Sequence, residues 1–158
     1  MYFLIKESKI PKGGPRFSSA RCSILSVFVF FLFGLITPVA QLIDGPSVTA
    51  RLAKESLLLG IHGRAGIAIA VGERGHILLT NNQGKNWIQK QSPTRRTLNS
   101  VYLLDQKTIW IVGHQSTVLR SQDSGESWTK IKVLDDPETS FLDLLFVDSS
   151  RGFIVGSY

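Results

Sequence analysis

From Leu57 onward the apolar positions fall in short runs divided by Gly, Asp, Asn and Ser. One period reads LNSVYLL, a turn at Asp105 to Lys107, TIWIV, the turn GHQS, TVLRS, the turn QDSGES and finally WTKIKV. Short runs rich in Val, Ile, Thr and aromatic residues, bounded by turn formers, predict β-strands. No stretch after residue 60 keeps a helical period. The first part of the chain follows a different rule. From Cys22 to Ile43 there is no charged residue, and the centre, ILSVFVFFLFGLI, is almost wholly branched or aromatic. A helix needs about 20 such residues to cross a bilayer with its backbone polar groups satisfied internally. These patterns divide the chain into a leader (1–23), an apolar helix (24–43), a linker (44–56) and a strand-rich part (57–158).

The strand pattern repeats. TNNQGKNW (Thr80–Trp87) and SQDSGESW (Ser121–Trp128) are the same octapeptide pattern 41 positions apart, and Gly72 over Gly113 and Leu78 over Leu119 keep that register. A third copy begins later: LNSVYLLDQKTIWIVG from Leu98 aligns with FLDLLFVDSSRGFIVG from Phe141 at an offset of 43, which places Trp110 over Phe153. Four strands in a period of about 40 residues make one blade of a β-propeller. The expected fold is therefore all-β, an incomplete β-propeller of about two and a half four-stranded blades (57–91, 98–132 and a partial 141–158) behind an N-terminal hydrophobic helix. An open arc exposes strand edges and blade faces. Either this is part of a longer propeller, or several copies assemble to close a ring.

The repeated octapeptide has a structural task. Gly84 and Gly125 accept positive φ without a steric penalty. Asp123, two residues earlier, takes hydrogen bonds from turn amides, and the hydroxyls of Ser121 and Thr80 do so more weakly. Asn82 stands where the first copy would carry Asp. Trp87 and Trp128 open the outermost strands and are expected to pack between blades. All eight positions, Thr80, Asn82, Gly84, Trp87, Ser121, Asp123, Gly125 and Trp128, are read as turn staples rather than ligand contacts.

Both octapeptides resemble the Asp-box, or bacterial neuraminidase repeat. The longer run RAGIAIAVGERGHILLTNNQGKNW resembles the first blade of the photosystem II stability and assembly factor family, and the resemblance covers roughly residues 57 to 158. It implies an exported, non-enzymatic propeller that binds protein partners during assembly of a membrane complex such as photosystem II. It also implies residence in the periplasm or thylakoid lumen. Family propellers have about seven blades, and this sequence reaches Tyr158 inside the second strand of its third repeat. Asp-boxes occur in sialidases and other glycosidases too, so a glycosidase fragment or a carbohydrate-binding propeller is the alternative.

Charge changes the picture little. The net charge is +6, but Lys6, Lys9, Lys12, Arg16 and Arg21 against Glu7 precede the apolar segment, leaving 13 basic and 11 acidic residues for the rest. That balance offers no face for nucleic acid. The basic leader is expected on the cytoplasmic side, which sends the chain after Asp44 across the membrane. Cleavage after Ala40, in ITPVAQ, and retention as an inner-membrane anchor both remain open. Cys22 is the single cysteine, so no internal disulfide forms.

Catalytic chemistry is not evident. The arginines match no sialidase motif, and only Tyr102 and Tyr158 follow the apolar segment as candidate nucleophiles. His62, His76 and His114 have no zinc-ligand spacing. No cofactor, metal or small-molecule substrate is expected. The GERG glycines read as a turn, since no helix follows to hold a phosphate. Arg74 in that turn, with Arg95 and Arg96, is the candidate partner-binding patch, because turns at a propeller face are where partners bind.

Overall fold

The computed structural model describes residues 44–134 and 136–157 and, as backbone, 2–6. The apolar segment 24–43 and most of the leader lie outside the described residues. Among the described residues eleven strands form three antiparallel sheets. The first sheet has the order β2 (Leu58–Arg64), β3 (Ile67–Gly72), β4 (Ile77–Thr80), β5 (Ile88–Lys90). The second repeats it with β6 (Leu98–Leu103), β7 (Ile109–Gly113), β8 (Thr117–Ser121) and β9 (Thr129–Lys130). The third sheet holds β10 (Ser140–Phe146), β11 (Arg151–Ser157) and, on the outer edge of β11, β1 (Tyr2–Lys6).

The register is the same in all three. Ile61 pairs with Ala70, Val101 with Ile111 and Leu144 with Ile154, and each first strand carries a bulge near its start. Side chains alternate across a sheet, so each sheet has two faces whose residues can be matched from repeat to repeat. One face of the first sheet (Ile69, Val71, Ile77, Leu79) packs against one face of the second (Leu98, Val101, Leu103, Ile109, Ile111, Leu119), and Trp128 joins them. The opposite face of the second sheet meets the third: Trp110 and Tyr102 lie 5.6 and 5.5 Å from the Phe146 ring. Two apolar faces thus meet at each contact, which is how consecutive blades bury a continuous core.

Two segments outside the repeats join the sheets. Residues 1–23 are expected as a leader, yet Tyr2–Lys6 pairs in full with β11, from Tyr2 opposite Val155 to Lys6 opposite Arg151. The physical reason is an open edge meeting a segment of high strand propensity, YFLIK. Residues 44–56, expected as a linker, lie on the first sheet: Ala50 and Ala53 pack against Ala70, Leu78, Leu58 and Trp87. Trp87 therefore packs against this segment, whereas Trp128 sits between two sheets.

Candidate functional site

The two octapeptide turns have nearly superimposable hydrogen bonding. In the second, the Ser121 hydroxyl accepts from the N–H of Gly125 at 2.9 Å and donates to Asp123 Oδ1 at 2.7 Å. Asp123 then accepts from the Ser127 N–H at 2.9 Å and from its hydroxyl at 2.5 Å. The Trp128 indole N–H closes the turn on the Gly125 carbonyl at 3.1 Å. Hydrogen bonds from the hydroxyl and then the N–H of Ser127 draw the Asp123 carboxyl down to about 2. In the first, Thr80 accepts from the Gly84 N–H at 3.0 Å and Asn82 Oδ1 accepts from the Asn86 N–H at 2.9 Å, without a charge. Gly84 and Gly125 have φ of 84° and 88°. Gly125 is needed for space as well, since an added Cβ would lie 2.9 Å from Leu79 Cδ1 and 3.2 Å from Ile69 Cδ1 of the preceding sheet.

Arg74, Arg95 and Arg96 share one region of the surface. Arg74 is exposed in the turn Glu73–Gly75 with φ of 55°. Gly75 draws that turn onto the segment after β5: a Cβ there would fall 2.0 Å from the Thr94 carbonyl oxygen and 3.3 Å from the Arg95 Cα. The three arginines do not have equal freedom. Arg95 donates to the Pro46 carbonyl at 2.9 Å, and Arg96 donates to the Gln115 carbonyl at 2.9 Å while its Nε lies 3.2 Å from Asp44. Beside Arg96 a cleft of about 460 Å³ is lined by Gln115, Ser116, Lys130, Lys132 and Asp136 among others.

Asp44 was invisible to motif reading, because it appears in the sequence only as the first charge after the apolar run. In the fold it is a hub. Its carboxylate accepts from Thr94 Oγ1 at 2.7 Å, the Arg95 N–H at 3.0 Å and Lys130 Nζ at 2.8 Å. Burial would raise its pKa, but the bonds from Lys130, Thr94 and Arg95 outweigh this and hold it below the ordinary carboxylate value. Gln89 is a second hub: its amide accepts from the Ala50 N–H at 2.8 Å, donates to the Val48 carbonyl at 2.9 Å and lies 3.1 Å from His76 Nδ1. Burial lowers the pKa of His76, and a neutral ring suits that contact. His62 accepts the Leu103 N–H at 2.7 Å, so it joins two sheets. Among the described residues no group of three His, Cys, Asp or Glu side chains stands close enough to hold a metal ion.

The repeated register and boxes agree with what comparison finds. Photosystem II assembly protein Ycf48 of Thermosynechococcus vestitus is 32% identical over 80 residues, 48% of this chain and 22% of that protein. The chain thus spans under a quarter of that relative's length. Its fold matches the solved YCF48 from Cyanidioschyzon merolae with a TM-score of 0.56 at 18% identity, over 63% of this chain and 35% of that one. It also matches a structure described as YCF48 bound to D1 peptide, with a TM-score of 0.51 at 21% identity, over 57% and 31%. The all-β sheets are blades of such a propeller, and the glycosidase alternative is not favoured. Residues 73–158, more than half of the sequence, match the family described as Photosynthesis system II assembly factor YCF48, and the chain belongs to that family.

Proposed function

We propose that the chain is an exported, non-catalytic propeller scaffold that holds a protein partner during assembly of a membrane complex such as a photosystem. The family match across 73–158 carries this reading. The partner-binding surface proposed is the region of Arg74, Arg95 and Arg96. Arg74 and Arg95 are exposed there, and the cleft beside Arg96 adds Lys130 and Lys132. Such a surface suits a partner segment that carries carboxylates, since a guanidinium pairs with them bidentately. The octapeptide turns take no part in binding on this reading; they hold the blades that present the loops.

The test uses the full chain as bait on detergent-solubilised membranes of its host, beside Arg74→Glu/Arg95→Glu. Arg96 is left intact because it contacts Asp44. A membrane protein retained by the parent chain and lost by the variant supports the reading, and an identical retained set overturns the proposed surface. For residues 24–43 the reading is a signal segment or anchor, with periplasm or thylakoid lumen beyond it. N-terminal sequencing of membrane-associated and released fractions distinguishes cleavage after Ala40 from an uncleaved anchor. A membrane crossing by residues 24–43 would put Lys6 and β11 on opposite sides, so it excludes the pairing of β1 with β11 in the same molecule.

A further inference from the structure

We propose that His62 is a pH-sensitive fastener between the first and second sheets: the neutral ring holds the Leu103 N–H, and protonation of the ring loosens the first sheet from the second. β6 is the first strand of its sheet and pairs with β7 on one side only. Adjacent peptide groups along a strand point in opposite directions. Leu104 gives its N–H to the Thr108 carbonyl, just before β7. The N–H of Leu103 therefore turns away from β7 and has no ladder partner. His62 supplies one, accepting it at Nδ1 over 2.7 Å. His62 stands opposite Ile69 in the register, so it belongs to the face of the first sheet that packs on the second.

The next repeat fills the same place with a different side chain. Tyr102 stands opposite Trp110 as His62 stands opposite Ile69, and it reaches across to the third sheet by donating to the Phe146 carbonyl at 3.1 Å. Phe146 in turn takes the register position of Leu103. At both contacts, then, one side chain of a first strand holds the main chain of the next first strand at the same position. The two differ in their response to pH. A phenol keeps its proton up to about pH 10, whereas an imidazole changes charge in the mildly acidic range. The contact between the second and third sheets is thus an internal control for the contact between the first and second.

An imidazolium has donors only. A proton on Nδ1 would face the Leu103 N–H, so the ring must turn away and leave that donor without its acceptor. The groups around the ring do not favour the charged form. Of the strands packed on β2, β3 has no titratable side chain, and β6 has only Tyr102, whose ring centroid lies 4.8 Å from that of the imidazole. Arg64, on the same strand as His62, donates to the Leu104 carbonyl at 2.6 Å. Asp105, in the turn after β6, is engaged by the N–H groups of Lys107 and Thr108, both at 2.7 Å. Burial first, and then the charge of Arg64, lower the pKa of His62 below its ordinary 6.5. A folded value below the unfolded one means that the contribution of His62 is complete above about pH 6.5 and is lost as the pH falls through the folded value. Protonated histidines at packed contacts act as switches in this way.

The test follows the isotope-labelled full chain in detergent micelles by NMR from about pH 7.5 to about pH 5. The titration of each histidine ring is read separately, together with amide exchange corrected for its intrinsic rate. Protection of the Leu103 amide is expected to fall at least about tenfold, with the midpoint of the His62 ring and not that of His76 or His114. Protection of Ile154 in the third sheet stays level over the same range. In His62→Gln a side-chain oxygen accepts the Leu103 N–H at every pH, so the fall disappears. The urea midpoint of the parent chain relative to His62→Gln drops between the two pH values. A His62 ring that titrates while Leu103 keeps its protection overturns the proposal, as does a ring that stays neutral down to about pH 5. A loss of the same size in His62→Gln also overturns it, because another group is then responsible. If that variant does not fold, the parent chain decides alone: a Leu103 midpoint that departs from that of the His62 ring overturns the proposal, and a shared midpoint supports it.

Discussion

At the residue scale the two octapeptide turns make a controlled comparison within one molecule. Gly84 and Gly125 share a left-handed φ, but only Gly125 sits against the side chains of the neighbouring sheet. Forcing an L-residue into that conformation costs roughly 1 kcal/mol, and overpacking adds about 1 to 3 kcal/mol. Thermal unfolding of Gly84→Ala is therefore expected to shift by a few degrees, and that of Gly125→Ala by clearly more; equal shifts would contradict the packing assigned to Gly125. Asp123 provides a pH test. Its folded pKa is about 2, below the ordinary 3.8, so its contribution is complete above about pH 4 and disappears as the pH falls towards 2. Urea midpoints of the parent chain and Asp123→Asn should differ at pH 6, by about 1 kcal/mol for an exposed carboxylate, and converge near pH 2. These glycines and carboxylates could be read from the sequence because the turn is local. The Gly125 packing could not, since Leu79 and Ile69 are brought to it by the meeting of two sheets.

At the element scale the strands are set by composition, and their lengths by neighbours. WTKIKV reads as a full fourth strand, yet β9 is only Thr129–Lys130, followed by one more bond from the Ile131 N–H to the Val118 carbonyl at 2.8 Å. An outermost strand has one partner, and pairing ends where the facing strand does. β1 is the reverse case, a segment outside the repeats that occupies the third-strand place beside β11. Ile5→Pro removes an N–H that faces β11 and bends the segment. Amide exchange at Gly152 and Ile154, whose N–H groups face β1, should then accelerate while β7 stays protected; unchanged exchange there would show that β1 contributes nothing to that edge. A chain cleaved after Ala40 should show the same loss of protection.

At the scale of the whole molecule the repeat has direction. The second sheet buries one face on the first sheet and the other on the third. The far face of the first sheet carries Ala50 and Ala53, and the far face of the third shows Leu145, Phe153 and Val155. Exposed apolar surface of that kind marks a docking face or an aggregation hazard. Leu145→Glu in the full chain should therefore raise solubility with little change in unfolding temperature, because this side chain is the most exposed of the three. A fall in unfolding temperature would mean the face is already packed in solution.

The sequence by itself determined the four-strand repeat, the strand order, the turn residues and the family, because each depends on local pattern repeated at a fixed spacing. Val101 and Leu144 are recognisable as core from strand alternation alone. Only the tertiary structure decided that Asp44, Gln89 and Thr94 matter, since their partners lie 86, 39 and 50 positions away. The same holds for Ala70, an ordinary strand residue whose small size has meaning only when Ala50 and Ala53 are seen packed beside it. Spacing reports contacts between neighbours in sequence and between repeats; a segment that crosses a sheet face follows neither period, so its place becomes visible only in the fold.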